Sequence, residues 1–211
     1  MFKQKKALSC IALLLLNIGV EAKINISASE EKQVLCQEVY KKMINEHFFN
    51  DKDLTSINSE IFDALVDQLD SQKIYFTENE MDSFKRRFSR FDVQLAIKKK
   101  YSKSSLCFID LKSKFAFINL YFNRLIEATN YQLKEVSKKN FDFTKEEIIL
   151  IDDDQKKWQK SKFELKKVWR RLAKNDVLTS MLADKELDEA TETIEKRYKN
   201  RLRRISQRNE E

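Results

Sequence analysis

Chemistry in this chain has few residues to draw on. His47 is the single histidine in 211 residues. No second histidine and no suitably spaced cysteine stands beside it to complete a zinc site. As a base for a serine or cysteine nucleophile it would work without a glycine-built oxyanion hole. Its neighbours Phe48 and Phe49 point instead to a residue at a helix end. Asp152, Asp153 and Asp154 form an acidic run, but it lacks the alternating ligands and glycine turn of a calcium loop, so it reads as a solvated loop. Lys98, Lys99 and Lys100 read as a solvated face. These residues therefore yield no catalytic, cofactor-binding or metal-ligating set.

What positions such groups is equally restricted. The sequence has no proline, and its one glycine is Gly19. Glycine gives positive-φ turns and proline rigid ones, so a chain without either is hard to fold into a sheet with many tight turns. Helices joined by short polar links suit it, and it cannot build the phosphate loops or nucleophile elbows that lean on glycine. With 42% hydrophobic and 36% charged residues, disorder is excluded and one domain with a real core is expected.

Residues 1–22 have the layout of a secretory signal. Lys3, Lys5 and Lys6 precede an apolar run from Ala7 to about Ile18, and Val20-Glu-Ala22 offers a cleavage site after Ala22. The run is shorter than the ~20 residues of a membrane span, so a cleaved peptide is expected rather than a retained anchor. Cleavage lowers the formal charge from +7 to +5, weak grounds for a nucleic-acid partner. Cys36 and Cys107 remain; in an oxidising compartment they either pair or stay as buried thiols.

Four Ser/Thr-x-x-Glu capping boxes mark helix starts: Ser27/Glu30, Thr77/Glu80, Thr144/Glu147 and Ser161/Glu164. Apolar periodicity predicts helices over about 28–49 (Leu35, Val39, Met43, Ile44), 57–69, and from Thr77 on. A long helix is predicted over 104–138, with a seam of Phe108, Leu111, Phe115, Ile118, Phe122 and Leu125. Another follows Ser161, with Leu165, Val168, Trp169, Leu172 and Leu182 inward, and the last spans 186–207. Trp158 and Trp169 are read as core. Lys196, Arg197, Lys199, Arg201, Arg203, Arg204 and Arg208 alternate with an apolar seam, as on a surface helix whose arginine stems pack. The fold class is all-α: a single domain of about six to eight helices over 23–211, with one long central helix.

Several of these segments, in order, resemble bacterial tail-specific proteases, the C-terminal processing peptidases of the Prc/Tsp type. Leu69-Asp-Ser-Gln-Lys-Ile-Tyr-Phe76 with Met81-Asp-Ser-Phe84 resembles a stretch near the start of that family. Phe141-Asp-Phe-Thr144, Trp158, Val168-Trp-Arg-Arg-Leu172 and the closing Glu195-Lys-Arg-Tyr-Lys-Asn-Arg-Leu-Arg-Arg204 follow at similar spacing. Ser71 stands where the family usually has proline, and 92–107 lacks its glycine-containing link. In complete members a PDZ domain and a protease core with a serine–lysine dyad follow. No position here matches a catalytic residue, so the resemblance implies the non-catalytic N-terminal helical domain of a periplasmic serine endopeptidase. It implies as partners the PDZ and protease portion, in cis or as a split partner, and an adaptor or unfolded protein substrate. A free-standing periplasmic binding protein or chaperone, with a groove lined by the phenylalanines of 108–122, is the alternative.

Overall fold

The computed structural model describes residues 24–27, 29–32, 34–35, 38–39 and 42 near the N-terminus, then 54–89, 103–150 and 155–207. Where described, residues 30–42 are helical. Five further helices follow: α1 Leu54–Asp70, α2 Glu78–Ser89, α3 Lys103–Ser137, α4 Lys162–Met181 and α5 Leu187–Gln207. There is no named strand among the described residues, only one parallel bridge between Thr77 and Gln159. The all-α expectation holds.

Helix α3 is the spine. Its 35 residues span about 50 Å at the helical rise. Both α4 and α5 pack on it and on each other, while α1 pairs with α2. Val136 of α3, Ala173 and Val177 of α4, and Ala190, Ile194 and Tyr198 of α5 close one core. A second core is aromatic: Phe62 and Val66 of α1 meet Phe76, Met81 and Phe117. The Phe117 ring lies 5.1 Å edge-on from Phe62 and 5.3 Å stacked against Phe76.

An extended N-terminal piece locks onto α3 in a way periodicity does not disclose. Asn119 and Asn123, one turn apart, each pair with a backbone unit. Ile26 donates its N–H to Asn119 Oδ1 (2.7 Å) and accepts from Asn119 Nδ2 (2.8 Å). Ile24 does the same with Asn123 (3.1 and 3.3 Å). The two amides thus satisfy a strand edge without a second strand, and Ile24 is buried against Phe122, Ile126 and Ile205.

Three connections need a left-handed residue, and without glycine that conformation falls to Lys73 (φ 53°), Lys139 (φ 51°) and Asp184 (φ 61°). The helix ends match the sequence reading within a few residues. Two of the capping boxes do not form. Ser29, not Ser27, accepts from Lys32 N at the first helical stretch. No helix follows Thr144, because Asp142 takes both its N–H (3.0 Å) and hydroxyl (2.6 Å) in a local turn, and Glu147 is drawn to cations of α4. Leu182, expected inward, is exposed at the turn ending α4, and Leu35 and Val39 are exposed as well.

Candidate functional site

The turn from Asp70 to Phe76 organises one end of the domain. Asp70 closes α1 with its carboxylate folded inward, accepting from Ile74 N (2.9 Å) and Tyr75 N (3.0 Å). Burial pushes its pKa up to about 7, against the pull of those backbone N–H groups. Trp169 of α4, fully buried, donates Nε1 to Ile74 O at 2.6 Å. Tyr75 sets its ring 5.4 Å edge-on to Tyr121, and burial raises its pKa. Phe76 then enters the aromatic core, and Thr77 begins α2. Its N–H reaches Glu80 Oε2 (2.9 Å) while its hydroxyl accepts from Glu80 N (3.4 Å), a reciprocal box. Glu80 also pairs with Arg124 of α3 at 2.7 Å.

A second segment, 140–150, is strapped to α4. Lys174, itself buried, donates to Lys145 O (2.9 Å) and Glu147 Oε2 (2.7 Å). That hydrogen bond holds the Glu147 carboxyl below the usual range. Arg171 Nη1 donates to Ile148 O at 3.0 Å. Segment 155–160 returns beside the α2 start, where Glu78 donates to Gln159 O (2.9 Å). Ser161 caps α4 by accepting from Glu164 N (3.2 Å); Glu164 returns to Lys160 N, one residue before the predicted partner.

Between these pieces opens a cleft of about 320 Å³. Ile74, Val168 and Leu172 line it with residues 148–150. Ile148 is 75% and Leu150 50% exposed. Its cations are Lys73, Lys156, Lys157 and Arg171, and no Asp or Glu is among the described lining residues. Lys73 Nζ donates to Lys156 O at 2.8 Å, and Lys156 reaches Gln72 Oε1, so two of them brace the wall. Sequence reading placed Val168 and Leu172 in a helix core. It missed the cleft, because the cleft needs segments 72–74, 148–150 and 156–159 to converge.

The other singled-out residues do not join here. His47, Cys36, Lys98, Lys99, Lys100, Asp152, Asp153, Asp154, Arg208 and the 1–22 segment lie outside the described residues, as does the Cys107 side chain. Among the described residues no group of three or more His, Cys, Asp or Glu gathers as a metal site. No described helix is long and apolar enough to cross a membrane. Three of the basic residues of α5 are engaged with their own helix and its neighbour. Arg197 pairs with Asp176 at 2.5 Å, Lys199 with Glu195 at 3.1 Å, and Arg201 lies 5.4 Å from the Tyr198 ring. Trp158 is half-buried against the aromatic core. Phe117 is buried in the aromatic core and Phe122 against Ile24, Ile126 and Ile205, so these two do not line an open groove.

A spine helix carrying internally braced turns, with one apolar and cationic cleft, defines a helical domain whose sequence motifs hold its own parts together. The chain belongs to the family described as the tail specific protease N-terminal domain, whose model matches residues 39–211. It is similar to a tail-specific protease of Haemophilus influenzae, 24% identical over 180 residues. That alignment covers 85% of this chain and 24% of the relative, so the chain spans about a quarter of that protein's length.

Proposed function

We propose that this chain is the non-catalytic helical portion of a periplasmic tail-specific endopeptidase. In this reading residues 1–22 export it and are removed after Ala22. The domain then packs beside a PDZ and protease portion, in cis or on a separate chain. There it shapes the enclosure that admits unfolded protein tails, or docks an adaptor. The observation that carries this is what the motif residues do. Asp70, Tyr75 and Trp169, among the residues on which the resemblance rests, are occupied in fixing one turn, and Thr77 and Glu80 between two of its motifs close a helix start. They are structural residues of a scaffold, supported by the family match over 39–211.

The test is direct. The purified chain should leave an unfolded protein with an apolar C-terminus uncleaved, yet bind an immobilised PDZ–protease portion. Cleavage that persists through rigorous purification overturns the reading, and so does a lack of binding. Fusion of residues 1–30 to a reporter active only after export tests the localisation, and mass spectrometry of the mature N-terminus should begin at Lys23. A second reading, a free-standing periplasmic binding protein or chaperone, draws on the cleft. It expects client binding with no affinity for the protease portion.

A further inference from the structure

We infer that Asn119 and Asn123 of α3 form a docking seat for an extended peptide with aliphatic residues at alternate positions, and that residues 24–26 fill this seat as a competitor from the same chain. Such a peptide from another protein enters when that arm leaves.

The backbone pairing sets the geometry of the seat. Asn119 takes both the N–H and the C=O of Ile26, and Asn123 takes both of Ile24. A residue that turns both groups toward one side chain shows them on one edge, as an extended strand does and a helix does not. The spacing agrees. Four residues of helix rise about 6 Å, and two residues of extended chain cover about 6.6 Å. Two amides one turn apart therefore match alternate residues of a strand.

The side chains set what the seat selects. Ile24 is 1% exposed and lies against Phe122, Ile126 and Ile205, with Ile26 packed beside it. Asn25, between them, is exposed. The seat thus reads an aliphatic residue at the first and third positions and leaves the second facing outward. Proline is excluded at both aliphatic positions, because each must donate an N–H. Sheet edges capture peptides by the same chemistry, main-chain pairing for affinity and alternate pockets for specificity.

Seat and occupant are separate parts of the chain. Asn119 and Asn123 lie within the family-matched span 39–211, and residues 24–26 lie outside it. The contacts run across 93 and 99 residues, so tertiary packing alone holds the arm in place. A tethered competitor acts as a raised local concentration of ligand, so it weakens binding of a second peptide without abolishing it. The seat stands on these contacts and does not rest on the scaffold reading above.

The experiment uses the full chain and a fluorescein-labelled peptide, Lys-Ile-Asn-Ile-Ser, the sequence of residues 23–27, followed by anisotropy. Ile24→Asp combined with Ile26→Asp withdraws the arm, and circular dichroism checks that the protein folds. This variant should bind the peptide saturably and at least about tenfold more tightly than the wild type does. Adding Asn119→Ala should weaken that binding at least about tenfold, and so should N-methylation of the peptide's second isoleucine or replacement of both its isoleucines by aspartate. A second measurement needs only the wild type: excess unlabelled peptide should speed amide exchange at Ile24 and Ile26, read by mass spectrometry. Absent binding to the folded variant overturns the proposal. So does equal affinity of wild type and variant, binding indifferent to Asn119→Ala, or unchanged exchange in the wild type. Sedimentation velocity covers a second copy as occupant: a concentration-dependent dimer of the wild type, lost in the arm variant, overturns the assignment of the arm as a competitor from the same chain.

Discussion

Replacing Trp169 with Phe tests how the Asp70–Phe76 turn is held. Phenylalanine keeps an aromatic ring in the core but removes Nε1–H, the donor 2.6 Å from Ile74 O. Trp169 is 1% exposed, so water cannot readily take the place of that donor. A buried carbonyl left unpaired costs about 1–3 kcal/mol. The smaller ring also leaves a void of roughly 40 Å³, which at ~24 cal/mol per Å³ adds about 1 kcal/mol. The expected loss is therefore about 3 kcal/mol, a large share of the ~5–15 kcal/mol that holds a domain together. Urea unfolding followed by far-ultraviolet circular dichroism reads it as a lower midpoint at unchanged slope. Hydrogen exchange should localise the damage, with the Ile74 and Tyr75 amides losing protection before those of α5. A loss below about 1 kcal/mol would refute the reasoning, since the unpaired carbonyl alone should reach that. So would uniform loss of protection along the chain.

Two further predictions concern groups held in unfavourable states. Asp70 has a folded pKa of about 7 against an ordinary 3.8, so its contribution is fully present below the ordinary value and fades as pH rises through 7. Relative to Asp70→Asn, the wild type should lose about 3 kcal/mol between pH 4 and 7, read from urea midpoints across that range; parallel pH curves for the two proteins would contradict it. Lys139 follows α3 in the left-handed region, with its ammonium in an exposed pair with Asp188. Lys139→Gly should raise the thermal midpoint, because the relieved backbone outweighs a solvent-screened pair; a lower midpoint would mean the ion pair matters more than the backbone.

Most of the helical framework was legible from apolar periodicity and caps. The boundaries of α3 and α5 fall within a residue of expectation, because long amphipathic seams leave little choice of face. Thr77/Glu80 closed as a box because an amphipathic helix follows directly. Thr144/Glu147 carries the same pattern, and there tertiary forces prevailed. Lys174, on a helix about 30 residues further along, offers Glu147 a charged partner in a buried setting, stronger than a local cap. Leu35, Val39 and Leu182 fit apolar stripes and yet face solvent, since periodicity names a face without saying what covers it. Asn119 and Asn123 drew no notice in the sequence, because their partners at Ile24 and Ile26 lie more than 90 residues away.

The division between sequence and structure follows the range of the forces. By itself the sequence determined the helices, because capping and amphipathic periodicity act within one or two turns. It also gave the expectation that glycine-dependent chemistry lies elsewhere, and the ordered motifs pointed to the family. Only the tertiary structure decided what those motifs are for. Asp70 turns inward onto its own backbone, Trp169 reaches across 95 residues to the Ile74 carbonyl, and 148–150 comes to line a cleft with Ile74 and Val168. The last two arise between segments far apart in the chain, which no local spacing encodes, while Asp70 bonds only four and five residues on and is buried there by the packed domain.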